Sequence, residues 1–320
     1  MGDGLRVTRE DVVAAAGRIA DAVVATPLRA ATIDGRRWWL KCESLQTGGA
    51  FKLRGASNRL LQLDPGERRR GVVAFSSGNH AQGVAIAAQR LGIAATIVMP
   101  ADAPALKIEG TRAAGADIVF FDRRTESREA IAARIASASG ATVVPSFDDV
   151  HIVAGQGTVG LEVAAQLETL GQGSPRQFVV PCGGGGLAAG IALACPDAAI
   201  TIVEPFGWDD MAKSLEAGEI VPVASDAPPT LCDALQTPHV SPITLAILRA
   251  RKAHALVATD AEIEAAMRWA WREQGLVVEP GGAAALAAVL AGRVEPGAGA
   301  VIVMSGGNVD PALHARIVGI

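Results

Sequence analysis

Phe178-Val179-Val180-Pro181-Cys182-Gly183-Gly184-Gly185-Gly186-Leu187 is an apolar run, then four adjacent glycines, then the start of an Ala-rich segment. A continuous apolar run of this kind reads as a strand buried on both faces of a parallel sheet. Four adjacent glycines cost much conformational entropy, and a bare turn does not need four. They suit a backbone that approaches a ligand closely, above all a phosphate at a helix N-terminus. Similar apolar runs recur at Val72–Phe75, Ala95–Met99, Asp117–Phe121, Ala141–Val144, Ala199–Val203, Ala255–Val257 and Ala300–Met304. Between them lie Ala-rich segments of helical period. Thr8-x-x-Asp11 opens one, with Val12, Val13, Ala16, Ile19, Ala20 and Val23 expected on its apolar face, and Thr259-x-x-Glu262 caps another, with Ile263, Ala266, Met267 and Ala270 following. Alternating strands and helices predict an α/β, doubly wound architecture, and so many strands are easier to place in two sheets than in one.

The bulk properties agree with a packed globular protein. Of 320 residues, half are apolar and 19% are charged, and the net charge is −4. Without a long basic tract, no nucleic-acid partner and no anionic membrane surface is expected. Arg68-Arg69-Arg70, after Asp64-Pro65-Gly66, reads as a solvated turn. Cys42, Cys182, Cys195 and Cys232 match no zinc or disulfide spacing and read as reduced thiols. The opening MGDGLRVTREDVV lacks the build of a signal peptide, and no apolar stretch approaches the roughly 20 residues of a membrane helix. A soluble, cytoplasmic chain is the expectation.

Three more segments sit at the strand-to-loop junctions where open α/β sheets bind ligands. Ser44-Leu45-Gln46-Thr47-Gly48-Gly49-Ala50-Phe51-Lys52 ends on a lysine just past a glycine turn. Such an amine becomes a nucleophile toward an aldehyde when desolvation or a nearby cation lowers its pKa; taken alone, it is equally a surface lysine at a helix start. Ser76-Ser77-Gly78-Asn79-His80 precedes a helix whose first N–H groups suit a carboxylate, although Ser and Asn are also ordinary N-caps. Ser305-Gly306-Gly307-Asn308 ends the last strand, either as a plain turn or with its hydroxyl facing a ligand. A rival reading is a dinucleotide fold, since Gly183-x-Gly185-x-x-Ala188 fits that fingerprint and Glu204 stands about 20 residues on. It leaves the other three segments unexplained and supplies no hydride-transfer acid or base.

Together, these motifs resemble the fold-type II (tryptophan synthase β-like) pyridoxal 5′-phosphate (PLP) enzymes of the threonine/serine dehydratase and serine racemase family, in its short form without a regulatory domain. The resemblance runs from Thr26-Pro27-Leu28 through Lys41-Cys42-Glu43 to Ser305-Gly306-Gly307-Asn308-Val309-Asp310. It implies a large domain of residues 1–70 and 150–320, a small inserted domain of 71–149, and the cofactor in the cleft between two doubly wound units. Lys52 would carry PLP as a Schiff base with Phe51 near the ring. Asn79 would meet the 3′-oxygen, Gly183, Gly184, Gly185, Gly186 and Leu187 the phosphate, and Ser305 the ring nitrogen. Ser76, Ser77, Asn79 and His80 would surround the substrate carboxylate. Arg128 aligns with an arginine that contacts dicarboxylates in the racemases.

The activity so implied is a dehydratase (ammonia-lyase) that takes a β-hydroxy amino acid, such as threonine or serine, to a 2-oxo acid and ammonia. A serine- or aspartate-type racemase and a hydroxyaspartate dehydratase are the alternatives. Ser77, matching the residue with which racemases protonate the second face, keeps them open, while Ala50 replaces a serine common in relatives. Glu204, Trp208 and Asp210, in Glu204-Pro205-Phe206-Gly207-Trp208-Asp209-Asp210, match the racemases' divalent-metal segment and imply an activating Mg²⁺ or Ca²⁺ site remote from the ring; read alone, the segment is also a solvated acidic loop. The family further implies a homodimer.

Overall fold

The computed structural model describes residues 6–320 apart from Ser77 and Pro104. In chain order the helices and strands are α1 (Arg9–Arg18), β1 (Leu28–Ile33), β2 (Arg36–Lys41), α2 (Lys52–Leu61), α3 (Pro65–Arg70), β3 (Val72–Phe75), α4 (Asn79–Leu91), β4 (Ala95–Pro100), α5 (Ala105–Ala113), β5 (Asp117–Phe121), α6 (Arg128–Ser139) and β6 (Thr142–Val143). They continue as α7 (Val150–Thr169), β7 (Gln177–Pro181), α8 (Gly186–Ala194), β8 (Ala199–Pro205), α9 (Asp210–Ala217), α10 (Pro242–Ala250), β9 (His254–Ala258), α11 (Asp260–Gln274), α12 (Pro280–Leu290), β10 (Ala300–Val303) and α13 (Pro311–Val318).

The strands form two sheets. One is six-stranded, ordered β1-β2-β10-β7-β8-β9, and the other four-stranded, ordered β5-β4-β3-β6. All pairings are parallel except β1 with β2. All eight apolar runs became strands, as the alternating pattern predicts. The β1–β2 hairpin was not anticipated, yet its signal is Asp34-Gly35. Both residues have positive φ (50° and 74°), which two-residue hairpin turns favour. The burial expectation fails at β5, β6 and β9. These edge strands bury one neighbour fewer, and most of their residues are half-buried or exposed.

Successive residues of a central strand point to opposite layers. Phe178 and Val180 of β7 pack with α1, α7, α8 and α10, whereas Val179 packs with α11 and α12. In the smaller sheet, Val72 and Ala74 face α2 and α4 while Val73 faces α6. Three sequence readings meet this packing. Ile263, Ala266, Met267 and Ala270 of α11 are buried as expected, behind a capping box of Thr259 with Glu262. For α1 the box of Thr8 with Asp11 forms, but the buried face is Val12, Ala15 and Ile19. Val13 is exposed, and the helix ends at Arg18, before Ala20 and Val23. Arg68 to Arg70 are not a turn but the last residues of α3, where they suit the negative end of the helix dipole.

Candidate active site

Four loops meet at the C-terminal ends of β2, β3, β7 and β10, the ligand edge of parallel sheets. Past β2, the chain makes two short 3-10 turns and enters α2 at Lys52. Backbone hydrogen bonds zip this stretch to the loop after β10. The N–H of Ser44 donates to Met304 (2.9 Å), that of Phe51 to Ser305 (3.2 Å), and that of Gly307 to Gly49 (2.8 Å). Phe51-Lys52 and Ser305 are therefore neighbours for reasons independent of any ligand. Lys52 Nζ lies 5.1 Å from the centre of the Phe51 ring and donates to the Ser146 carbonyl at 3.1 Å. Burial pushes its pKa down to about 8, against the pull of the Glu279 charge. It opens a helix, but it is no ordinary surface lysine.

The loop after β3 ends at Gly78, the N-cap of α4, and among the described residues no side chain caps that helix. Ser76 Oγ instead accepts from the Gly78 N–H at 3.2 Å. Neither Ser76 nor Asn79 acts as the ordinary cap the sequence left open, and Gly78, Asn79 and His80 at this helix start line the cleft. His80 donates from Nε2 to the Val144 carbonyl at 2.9 Å, and its Nδ1 has no partner among the described residues. Burial, then the Lys52 charge, push its pKa down to about 3, so the ring is neutral. Arg128, the first residue of α6, lines the same cleft with its guanidinium 5.5 Å from the centre of the Phe75 ring and its Nε bonded to Glu129 at 2.8 Å. Ser77 lies outside the described residues.

The glycine loop leaves β7 and opens α8, with Gly185 in the left-handed region at φ 83°. A Cβ on Gly184 would come within 2.3 Å of the Phe147 ring, and one on Gly185 within 2.6 Å of Met211 Cε. Close packing against Phe147 and Met211 thus explains part of the tetraglycine that the sequence assigned to a ligand alone. The dinucleotide reading loses its acid here. Glu204, at the end of β8, is buried and spends both carboxylate oxygens on the N–H groups of Met211 (2.9 Å) and Ala212 (2.8 Å) at the start of α9. Asp210 is buried as well, and neither of its carboxylate oxygens has a partner among the described residues. Trp208 Nε1 donates to the Pro228 carbonyl at 2.8 Å. This segment is not remote from the glycine loop, because Met211 of α9 packs directly behind Gly185. Among the described residues no cluster of three or more His, Cys, Asp or Glu side chains is placed to hold a metal ion.

The cleft also holds residues the sequence did not single out: Glu279, Asp233, Thr237, Ser146 and Phe147. Burial raises the Glu279 pKa to about 7, the nearby Lys107 charge opposing it. Lys107, itself buried, pairs with Asp233 from the other sheet's side of the cleft. Glu279 carried a legible signal as a lone acid in Val277-Val278-Glu279-Pro280, just ahead of a helix. Among the described residues, three lining atoms are buried without a hydrogen-bond partner: His80 Nδ1, Thr237 Oγ1 and Glu279 Oε2. Orphaned polar atoms beside two uncapped helix starts and a desolvated amine fit a polar, anionic, aldehyde-bearing ligand. PLP bound next to an amino acid has that chemistry.

Comparison with known proteins agrees. The family model for pyridoxal-phosphate dependent enzymes matches residues 19–306. The chain is 41% identical over 319 residues to an L-threo-3-hydroxyaspartate ammonia-lyase of a Pseudomonas species, covering 96% of this chain and 97% of that protein. It is 37% identical to the L-threonine ammonia-lyase of Thermotoga maritima, over 98% of this chain and 78% of that protein. The solved structure of maize serine racemase superposes with a TM-score of 0.90 at 36% identity, covering 97% of this chain and 96% of that one. The fold, the desolvated lysine at the sheet edge and these relatives agree: the chain belongs to the pyridoxal-phosphate dependent enzymes.

Proposed function

We propose that the chain is a PLP-dependent lyase that converts a β-hydroxy amino acid to a 2-oxo acid and ammonia. The observation that carries this reading is the Lys52 amine, desolvated to a pKa of about 8 where Ser305, the glycine loop and the start of α4 converge. Lys52 would hold the cofactor covalently, Gly183 to Leu187 its phosphate, Asn79 its 3′-oxygen and Ser305 its ring nitrogen, with Phe51 against the ring. When bound, the cofactor supplies the electron sink that lets a bond at the substrate's α-carbon break. The open N–H groups at the start of α4, with Ser76 and Asn79, hold the substrate carboxylate. Lys52 Nζ, free as a base, takes the α-proton and can return it to the departing β-hydroxyl, which leaves as water; the released enamine then takes up water and yields the 2-oxo acid and ammonia. His80, being neutral, holds the 76–80 loop to the Val144 carbonyl rather than transferring protons.

One observation favours 3-hydroxyaspartate over serine or threonine within this class. Arg128 brings a cation to the cleft lined by Ser76 and Asn79. Its Nε is held by Glu129, and the rest of the guanidinium would take a second substrate carboxylate, as would fit the 41% identity to a hydroxyaspartate ammonia-lyase. The unpartnered oxygens of Asp210 support a Mg²⁺ or Ca²⁺ site with Glu204 and the Trp208 carbonyl as its other ligands. The two sheets support the division into 1–70 with 150–320 and an inserted 71–149, the cofactor lying between. Four free, buried cysteines suit a reducing cytoplasm, and the family suggests a homodimer.

The test is a substrate panel of threonine, serine and both 3-hydroxyaspartate diastereomers, followed by 2-oxo acid release and by chiral analysis of the recovered amino acid. Oxo acid and ammonia in equal amounts support elimination. An inverted amino acid with little oxo acid would assign the chain to racemisation, the role Ser77 keeps open.

A further inference from the structure

We propose that Asn308 and Glu279 are positioning residues that lock the Asn79 amide in one orientation, so that an N–H of Asn79 Nδ2, and not its Oδ1, faces the cofactor oxygen. This rests on the cofactor reading above and adds a reason for the sequence around it.

The chain of hydrogen bonds has one possible sense. It starts at the backbone carbonyl of Gly48, which can only accept. Asn308 Nδ2 donates to that carbonyl at 2.7 Å and to Asn79 Oδ1 at 2.8 Å, which uses both of its protons on the shorter contacts, with Gln82 Oε1 further off at 3.2 Å. Asn79 Oδ1 must therefore accept, and its Nδ2 is turned to the opposite side. There it donates one N–H to Glu279 Oε1. The second N–H has no protein acceptor among the described residues and is the one left for a ligand oxygen. A flipped amide would set Asn79 Nδ2 against the Asn308 donor, which the Gly48 carbonyl fixes, and, with Glu279 ionised, its Oδ1 against that carboxylate. In a buried site such contacts are unfavourable.

The glycines on either side are independent support. A Cβ on Gly49 would come 2.1 Å from Asn308 Oδ1. One on Gly306 would come 2.0 Å from Glu279 Oε1 and 3.1 Å from Asn79 Nδ2. The glycine in Gly48-Gly49 and that in Ser305-Gly306 are what let the relay form. An amide already turned toward its acceptor loses no rotational freedom when the ligand arrives, so the relay raises affinity without touching the ligand itself.

The experiment is a double-mutant cycle read by cofactor binding. Apoenzyme is titrated with PLP, and the dissociation constant is taken from the visible absorbance for wild type, Asn79→Ala, Asn308→Ala and the double variant. Asn308→Ala is expected to weaken binding about tenfold in the wild-type background and less than about twofold when Asn79 is already alanine. An equal loss in both backgrounds would mean that Asn308 acts through the Gly48 segment instead, and no loss at all would equally overturn the proposal. Should Asn308→Ala fail to fold, Glu279→Ala in the same cycle gives the same two readings. A wild-type protein that takes up no PLP condemns the cofactor assignment, not the relay.

Discussion

At the scale of single residues, the amine of Lys52 and the guanidinium of Arg128 make the sharpest predictions. With its pKa pushed down to about 8 by burial, Lys52 is mostly protonated at pH 7 and mostly free at pH 9. The rate at which apoenzyme captures PLP, followed by stopped-flow absorbance, should rise about tenfold over that interval, since only the free amine attacks an aldehyde. A flat profile would mean that the amine is not desolvated as described. Arg128→Ala should raise KM for 3-hydroxyaspartate by roughly ten- to a hundredfold, the worth of a charge-assisted hydrogen bond, and leave KM for serine within about twofold. Equal effects on both substrates would remove Arg128 from the specificity argument. That Lys52, Asn79 and Ser305 would share one cleft was legible from their motifs, whereas Arg128 was singled out by the family resemblance alone. The relay that orients Asn79 was not legible. Asn308 reads as one more turn residue, and Glu279 lies 200 residues from Asn79, so only the fold brings them together.

At the scale of elements, the strand-loop-helix unit around Gly183 to Gly186 is the informative case. Four glycines read as a ligand cradle, and the edge location agrees. Their packing against Phe147 and Met211 is a tertiary fact that no local pattern contains. Gly184→Ala should destabilise the apoprotein by about 1–3 kcal/mol through overpacking against the Phe147 ring, measured by urea denaturation, and Phe147→Ala should relieve most of that loss. If Phe147→Ala gives no relief, the ring is not what the glycine makes room for. Elsewhere, legibility followed the strength of the local signal. The apolar runs of central strands could hardly be anything else. Helix α1 carries too many small apolar residues for periodicity to choose its face, and Ala15 rather than Val13 turned inward. The β1–β2 hairpin lacks a continuous apolar run and shows itself only in its Asp34-Gly35 turn.

At the scale of the whole molecule, a buried charge network ties the lysine-bearing helix to the larger sheet. Arg54 of α2 is 1% exposed and Glu43, which it grips at 2.8 Å, is 0% exposed; Arg54 also reaches Glu162 of α7 at 3.0 Å, and Glu162 in turn pairs with Lys41 of β2. Removing one member leaves an uncompensated buried charge. Glu43→Ala should therefore destabilise the fold by about 3–5 kcal/mol in chemical denaturation. A loss below about 1 kcal/mol would show that the network does not anchor α2. The pairing has a pH consequence. The Arg54 and Lys41 charges outweigh burial and hold the Glu162 carboxyl below its usual value of 4.5. The folded chain thus keeps Glu162 ionised where the unfolded chain protonates it, so this stability is present above pH 4.5 and fades as the solution is made more acid.

The central claim is that Lys52, framed by loops from both sheets, carries the cofactor. Its most direct test is borohydride reduction of the PLP-loaded protein, followed by mass analysis of the proteolytic peptides. A single stable phosphopyridoxyl adduct on the peptide containing Lys52, with loss of the visible absorbance, is the predicted result. A colourless protein, or an adduct spread over other lysines and absent from Lys52, would contradict it.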